Sequence, residues 1–220
     1  MQVSIIDYGS GNLRSAAKAF ECVAQSGQKI IVTNDPAQLA ASSHIVLPGV
    51  GAFADCMNGL RNAAGMLEAL EQEVIGKKKP FLGICVGMQM LFENGLEHGV
   101  HKGLGWLGGE VIRIDPNGHA ANSAEQAPLK IPHMGWNDLI IKTPEHPLME
   151  GIAPGDHAYF VHSYHAQCSN HKDIVATTQY GAELVAVVAK GNIMGTQFHP
   201  EKSQETGLRL IGNFLKMGSA

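Results

Sequence analysis

The chain has 220 residues, a formal net charge of −4 and 45% apolar side chains. A chain of this length hides roughly 70% of its unfolded surface and needs no disulfide staple to hold a core. No basic stripe interleaved with aromatics points to nucleic acid, and no apolar run reaches the roughly 20 residues that cross a bilayer.

Val3 to Tyr8 reads as a buried first strand, followed by a Gly9-Ser10-Gly11 turn and a helix from Leu13 to Ala24. No signal peptide is visible ahead of that strand. Lys29 to Val32 is a second strand. Asp35-Pro36 opens a short helix, with Asp as N-cap and Pro at the first helical position. His44 to Leu47 is a third strand, ending in the glycine loop Pro48-Gly49-Val50-Gly51. A long helical stretch is predicted from about Ala52 to Ile75, and Lys77-Lys78-Lys79 reads as its solvated end. The next strand, Phe81 to Ile84, leads into a helix-like run from Met88 to Glu93. Strands alternating with helices argue a parallel sheet covered on both faces.

From about Gly105 the pattern changes. Glu110–Ile114, Leu139–Lys142, Tyr159–Tyr164, Ile174–Thr178, Leu184–Ala189 and Ile193–Phe198 read as strands in antiparallel or mixed pairing. Asp115 to Ala127 is polar and reads as an exposed loop, and Leu208 to Lys216 closes the chain as a helix. The expected fold is therefore mixed α/β, with its chemistry at the carboxyl ends of the parallel strands. Cys22, Cys56, Cys85 and Cys168 lack paired spacing, so reduced thiols and a cytoplasmic location are expected.

Between the fourth strand and its helix stands Gly83-Ile84-Cys85-Val86-Gly87. This is the strand–nucleophile–helix arrangement of G-x-S-x-G with sulfur in place of oxygen. Glycines let the backbone fold close to itself, and the N-terminus of the following helix favours thiolate over thiol. Taken alone, the motif fits a small buried core cysteine equally well. A second site changes the balance. Gln197-Phe198-His199-Pro200-Glu201-Lys202-Ser203 follows another apolar run. A nucleophilic cysteine needs a base, and histidine suits that role because it titrates near neutral pH. In extended chain His199 and Glu201 project to one face, and Pro200 resists a helix, so the carboxylate can orient the imidazole. Attack of a thiolate on a carbonyl also requires N–H groups for the developing oxyanion. Val86, first after Cys85, is one candidate donor, and the Val50-Gly51 loop is the source of another.

These elements together resemble the class I glutamine amidotransferases, and more narrowly the glutaminase subunits of imidazole glycerol phosphate synthases. The likeness runs nearly end to end. The cysteine elbow and His199-Pro200-Glu201 belong to the wider family. Asp7-Tyr8-Gly9-Ser10-Gly11-Asn12-Leu13, Pro132-His133-Met134-Gly135-Trp136-Asn137 and Lys202 after the acidic residue narrow it. The resemblance implies one amidotransferase domain over residues 1–220 with a flavodoxin-like α/β fold, a mostly parallel sheet flanked by helices, and antiparallel or mixed strands in the C-terminal half. It implies that Cys85 attacks the side-chain amide of glutamine, that His199, oriented by Glu201, moves protons, and that no cofactor or metal is needed. Gly51, Gln89, Glu97 and Ser163 would hold glutamine, although Glu93 lies close enough to Glu97 that the sequence does not separate them. The implied partner is a (β/α)₈-barrel cyclase subunit that receives the ammonia in a heterodimer, with Asn12, Met134, Trp136 and Lys202 at the interface. Val86 and Met90 depart from the leucine expected there.

Other readings compete. A dinucleotide fingerprint after the first strand fails because its third glycine would fall at Arg14. His157, His162, His165 and Cys168 form the nearest metal-like cluster, but His162 and His165 would face opposite ways on one strand. A stand-alone cysteine peptidase or amide hydrolase would need no partner, and a regulatory module would need no intact Cys85, His199 and Glu201.

Overall fold

A computed structural model describes residues 1–115 and 129–218. The polar stretch read as an exposed loop lies, from residue 116 onward, outside them. In chain order the strands are β1 (Gln2–Ile6), β2 (Lys29–Thr33), β3 (His44–Gly49), β4 (Phe81–Cys85), β5 (Asn94–Gly95), β6 (His101–Lys102) and β7 (Gly109–Arg113). They continue with β8 (His133–Asp138), β9 (Ile140–Ile141), β10 (His157–His162), β11 (Tyr164–Cys168), β12 (Ile174–Tyr180), β13 (Ala182–Lys190) and β14 (Ile193–Thr196). The α-helices are α1 (Leu13–Val23), α2 (Ala37–Ala41), α3 (Phe53–Asn62), α4 (Met66–Leu70), α5 (Val86–Gln89) and α6 (Gln204–Lys216).

Eight strands form the central sheet, in the order β2-β1-β3-β4-β14-β13-β12-β9. Pairing is parallel from β2 through β14 and antiparallel from β14 to β9. Every residue of β3 and β4 is buried, as expected of strands covered on both faces. Helix α1 packs on α6, where Phe20 meets Phe214 edge to face at 6.2 Å, while α4 packs against both α2 and α3. The flanked, mostly parallel sheet and the antiparallel C-terminal strands agree with the expected fold. Two smaller sheets, β10-β8 and β11-β7-β5-β6, lie beside it.

Several boundaries differ from those predicted. The long helix expected over 52–75 is three pieces, because Gly65 adopts φ +74° between α3 and α4 and ends the hydrogen-bond ladder, and Glu71–Gly76 widens to a π turn. The helix expected over 88–93 begins at Val86 and stops at Gln89. After Met90 the turn tightens, with the Leu91 and Phe92 N–H groups reaching back only three residues, to Met88 and Gln89. The carbonyls of Met90, Leu91, Phe92 and Glu93 are taken by the N–H groups of Leu104, Leu107, Gly105 and Gly103, so no further helical turn is built on them. The expected strand 159–164 is divided at Ser163 between β10 and β11, and α6 starts at Gln204 rather than Leu208. Strand β8 was not predicted, because Gly135 and Asn137 disguise its alternation.

Asn192 closes the approach to the central strands. It is buried, and its Nδ2 donates to the Val74 and Lys79 carbonyls, each at 2.8 Å. Asn192→Ala leaves both carbonyls unpaired and is expected to lower unfolding free energy by about 2 kcal/mol, read by urea titration.

Candidate functional site

Three adjacent parallel strands bring the site together. Gly49 at the end of β3 pairs with Cys85 at the end of β4, and Ile84 pairs with Thr196 at the end of β14. Continuing β14 by one residue sets Gln197 beside the sulfur, with its Nε2 3.8 Å from Cys85 Sγ, and by three residues delivers His199. Cys85 itself sits at φ +55°, ψ −112°, a conformation a non-glycine residue adopts only when its surroundings enforce it. The enforcement is close packing of the α5 turn on β3. A Cβ on Gly87 would collide with the Leu47 carbonyl oxygen.

His199 Nδ1 lies 2.8 Å from Glu201 Oε1, and both side chains are 3% exposed. The carboxylate accepts, so Nδ1 carries the proton and Nε2 is left to act on other groups. Glu201 Oε2 is buried without a hydrogen-bond partner among the described residues, so the carboxylate charge bears chiefly on the imidazole. Burial opposes a charge on His199, but hydrogen bonds to Cys85 and Glu201 outweigh it and raise the imidazole to about 9. Cys85, His199 and Glu201 thus converge.

Cys85 and His199 open onto a cavity of about 330 Å³ lined by Val50, Gly51, Cys85, Val86, Gln89, Glu97, Pro132, Val161, His162, Ser163, Tyr164, His199 and Lys202, with Glu201 behind His199. That volume lies at the small end of ligand pockets. Every residue expected to hold glutamine, namely Gly51, Gln89, Glu97 and Ser163, lines it. Gln89 Nε2 donates to the Tyr164 carbonyl at 2.9 Å and to Gln197 Oε1 at 3.0 Å. Glu97 Oε2 accepts the Phe53 N–H at the start of α3, at 2.7 Å. Glu93 instead turns to the Gly109 N–H at 3.0 Å and does not line the cavity, so the structure separates the two carboxylates that sequence left open.

The backbone donors differ in setting. Val86 N–H belongs to the first residue of α5, directly after the sulfur. Val50 N–H points to Ser10 Oγ at 3.4 Å, a bond at the weak limit. The Val50 carbonyl accepts from Ser10 Oγ at 2.6 Å and from Cys56 Sγ at 3.3 Å, and Tyr8 Oη donates to the Pro48 carbonyl at 2.8 Å. Burial pushes the Tyr8 hydroxyl and the Cys56 thiol up, which keeps both protonated as donors. Sequence reading missed this anchoring of the Pro48–Gly51 loop. Tyr8 and Ser10 stood in a recognised motif, but nothing in it marked them as partners of the loop.

The expected interface residues lie at the surface. Met134 and Trp136 are 62% and 47% exposed on the outer face of β8, and Trp136 packs on Tyr159. Lys202 is exposed, lies over the Tyr159 ring and also lines the cavity. Asn12 is exposed at the start of α1 and does not line the cavity. The metal-like histidines are dispersed. His162 ends β10, His165 stands on β11 and His157 pairs with Asp138, and among the described residues no three potential ligands converge. No helix there is long and apolar enough to cross a membrane.

Residues 4–217 match the glutamine amidotransferase class-I family. The imidazole glycerol phosphate synthase subunit HisH of Rhodospirillum rubrum is 52% identical over 98% of this chain and 99% of that protein. Proteins of the same name from Brucella abortus and Bradyrhizobium diazoefficiens are 53% and 51% identical over the same shares. The fold is shared with a crystal structure of a glutamine amidotransferase (TM-score 0.70, 19% identity, 97% of both chains) and with PurLQS from Thermotoga maritima (TM-score 0.68, 21% identity, 97% of both chains). A family match over nearly the whole chain, joined by relatives about half identical along their full lengths, establishes that the chain belongs to the class I glutamine amidotransferases and, within them, to the HisH subunits of imidazole glycerol phosphate synthase.

Proposed function

We propose that residues 1–220 act as one amidotransferase domain that hydrolyses glutamine through Cys85 and passes the ammonia to a (β/α)₈-barrel cyclase subunit. In this reading the partner makes imidazole glycerol phosphate and aminoimidazole carboxamide ribotide, and the two chains work as a cytoplasmic heterodimer. The observation that carries it is the convergence of Cys85, His199 and Glu201 at the mouth of a cavity that also holds Gln89 and Glu97.

The Cys85 thiolate attacks the side-chain amide carbon of glutamine. Charge moves onto the amide oxygen, where Val86 N–H is the first donor. Val50 N–H joins it when its long bond to Ser10 is exchanged for the oxyanion, and Gly51 adjoins on the cavity wall. His199, protonated on both nitrogens in this state, gives the Nε2 proton to the departing nitrogen, and ammonia leaves. His199 then takes a proton from water, which attacks the thioester and releases glutamate and the Cys85 thiolate. Glu201 stabilises the imidazolium throughout. Glu97 is the acceptor for the α-ammonium of glutamine, and the Ser163 backbone closes the wall.

The outward Met134 and Trp136 are large side chains of the kind that anchor interfaces. With Asn12 and Lys202 they form the proposed contact with the cyclase. Ammonia is mostly protonated in neutral water and then cannot attack a carbon centre, so enclosure between two chains keeps it reactive.

Glutamate production, measured for the chain alone and with a cyclase subunit plus its nucleotide ligand, tests the reading. Strong stimulation by the liganded partner is expected. An unchanged rate points to a stand-alone hydrolase, and no glutamate under either condition points to a non-catalytic module. Cys85→Ala is expected to abolish glutamate release while leaving partner binding intact, and full activity in that variant would remove the nucleophile assignment. Glu97→Gln keeps an acceptor for Phe53 N–H but loses the charge. It is expected to raise KM for glutamine about tenfold with a smaller change in kcat, the scale of a hydrogen bond to a charged group.

The His199 shift has a stability consequence. Its folded value, about 9, lies above the ordinary 6.5, so its contribution is full below about pH 6.5 and is lost as pH rises toward 9. Thermal unfolding midpoints are expected to fall across that window, and Glu201→Gln should flatten the fall. An equally steep fall in the variant would show that Glu201 is not a source of the shift.

A further inference from the structure

Behind the cavity wall runs a line of hydrogen bonds that the proposed reaction does not use. It starts at the Tyr164 carbonyl, which accepts from His162 Nδ1 at 2.9 Å as well as from Gln89 Nε2. His162 Nε2 lies 3.0 Å from His133 Nδ1, and His133 Nε2 lies 3.1 Å from Asn137 Nδ2. Asn137 Nδ2 also donates to the Gln179 carbonyl at 3.0 Å, and its Oδ1 accepts the Asp138 N–H.

Both ends of the line are backbone carbonyls, which can only accept. That settles each proton between them. His162 carries its proton on Nδ1, so its Nε2 accepts. His133 must then donate from Nδ1, and its Nε2 accepts from Asn137. A second proton on either ring would set two donors face to face. The surroundings agree. Burial holds His162 down to about 3 and His133 to about 4, and the His133 ring is stacked between Phe160 and Tyr180 at 4.8 and 4.0 Å. The two histidines are direct cross-strand partners on β10 and β8.

We propose that His133 is a positioning residue of the glutaminase site: its Nδ1–H locks His162 in the Nδ1–H tautomer and thereby fixes the Tyr164 carbonyl and the Gln89 amide that wall the glutamine pocket. The proposal rests on the glutaminase reading above. Without the His133 donor, His162 is free to protonate Nε2 instead, which removes its bond to Tyr164 and leaves Gln89 as the single side-chain donor there.

The test uses the full chain assembled with its cyclase subunit. His133→Phe keeps a ring between Phe160 and Tyr180 but has no N–H. His133→Asn places an amide N–H where Nδ1 stood. The expected result is a rise in KM for glutamine of about tenfold in His133→Phe, with kcat changed less than about threefold, and a KM within about threefold of wild type in His133→Asn. Nitrogen-15 NMR of the histidine rings should report His162 protonated at Nδ1 in the wild type and in His133→Asn, and a changed His162 tautomer in His133→Phe. An unchanged KM in an active His133→Phe, or a wild-type His162 protonated at Nε2, overturns the proposal. Should His133→Phe fail to fold, a His162 protonated at Nε2 in His133→Asn overturns it as well. A wild-type complex that releases no glutamate overturns the glutaminase reading and this role together, whereas an active His133→Phe with normal KM overturns this role alone.

Discussion

Parallel pairing of β4 with β3 on one side and β14 on the other is the constraint on which the rest of the molecule depends. Gly49, Cys85 and the residues after Thr196 come from three distant parts of the chain, yet the register leaves them level at one end of the sheet. A slip of one residue in any of these strands would turn its side chains to the other face. The fully buried β3 and β4, with apolar side chains on both faces, resist that slip because both faces are covered by helices. The strained backbone at Cys85 is tolerable for the same reason. Its unfavourable conformation, of order 1–3 kcal/mol, is held by the packing of the α5 turn against Leu47.

Burial then sets the chemistry. Glu201 and His199 are almost wholly shielded, so the carboxylate acts on the imidazole with little screening by water. The carboxylate's free oxygen finds no other donor among the described residues, which directs its charge to His199. The two histidines at positions 133 and 162 experience burial without a carboxylate and are driven the opposite way. Two kinds of histidine therefore serve one cavity: one held ready to carry charge, the others held neutral so that their protons stay ordered.

Much of this was legible in the chain. The parallel half of the fold follows from apolar runs separated by helical periodicity, and the meeting of Cys85 with His199 follows from two motifs that each need the other. The parts that were not legible depend on long-range hydrogen bonding. The segment after Cys85 does not extend as an α-helix: its next turn tightens, and residues 103–107 take the carbonyls of Met90 to Glu93 on which a longer helix would be built, a competition no local propensity records. That Glu97 lines the cavity and Glu93 does not turns on which backbone N–H each carboxylate meets, Phe53 or Gly109. The anchoring of Val50 by Ser10 and Cys56 joins residues forty positions apart in one case and six in the other, with no spacing rule to connect them.

Strand β8 shows why its motif carries polar and aromatic residues in alternation. Its outward positions, Met134 and Trp136, are large and exposed, while its inward positions, His133 and Asn137, are hydrogen-bonded beneath the cavity wall. An extended strand gives successive side chains to opposite faces, so one short segment lines the proposed partner surface on one side and underlies the pocket wall on the other. On the inner face His133 and His162 are paired directly across the ladder with no residue between them. A helix would not provide this closeness of two faces, since its side chains on opposite faces are separated by its backbone diameter. The strand makes the distance between the proposed partner surface and the pocket wall a single layer of backbone.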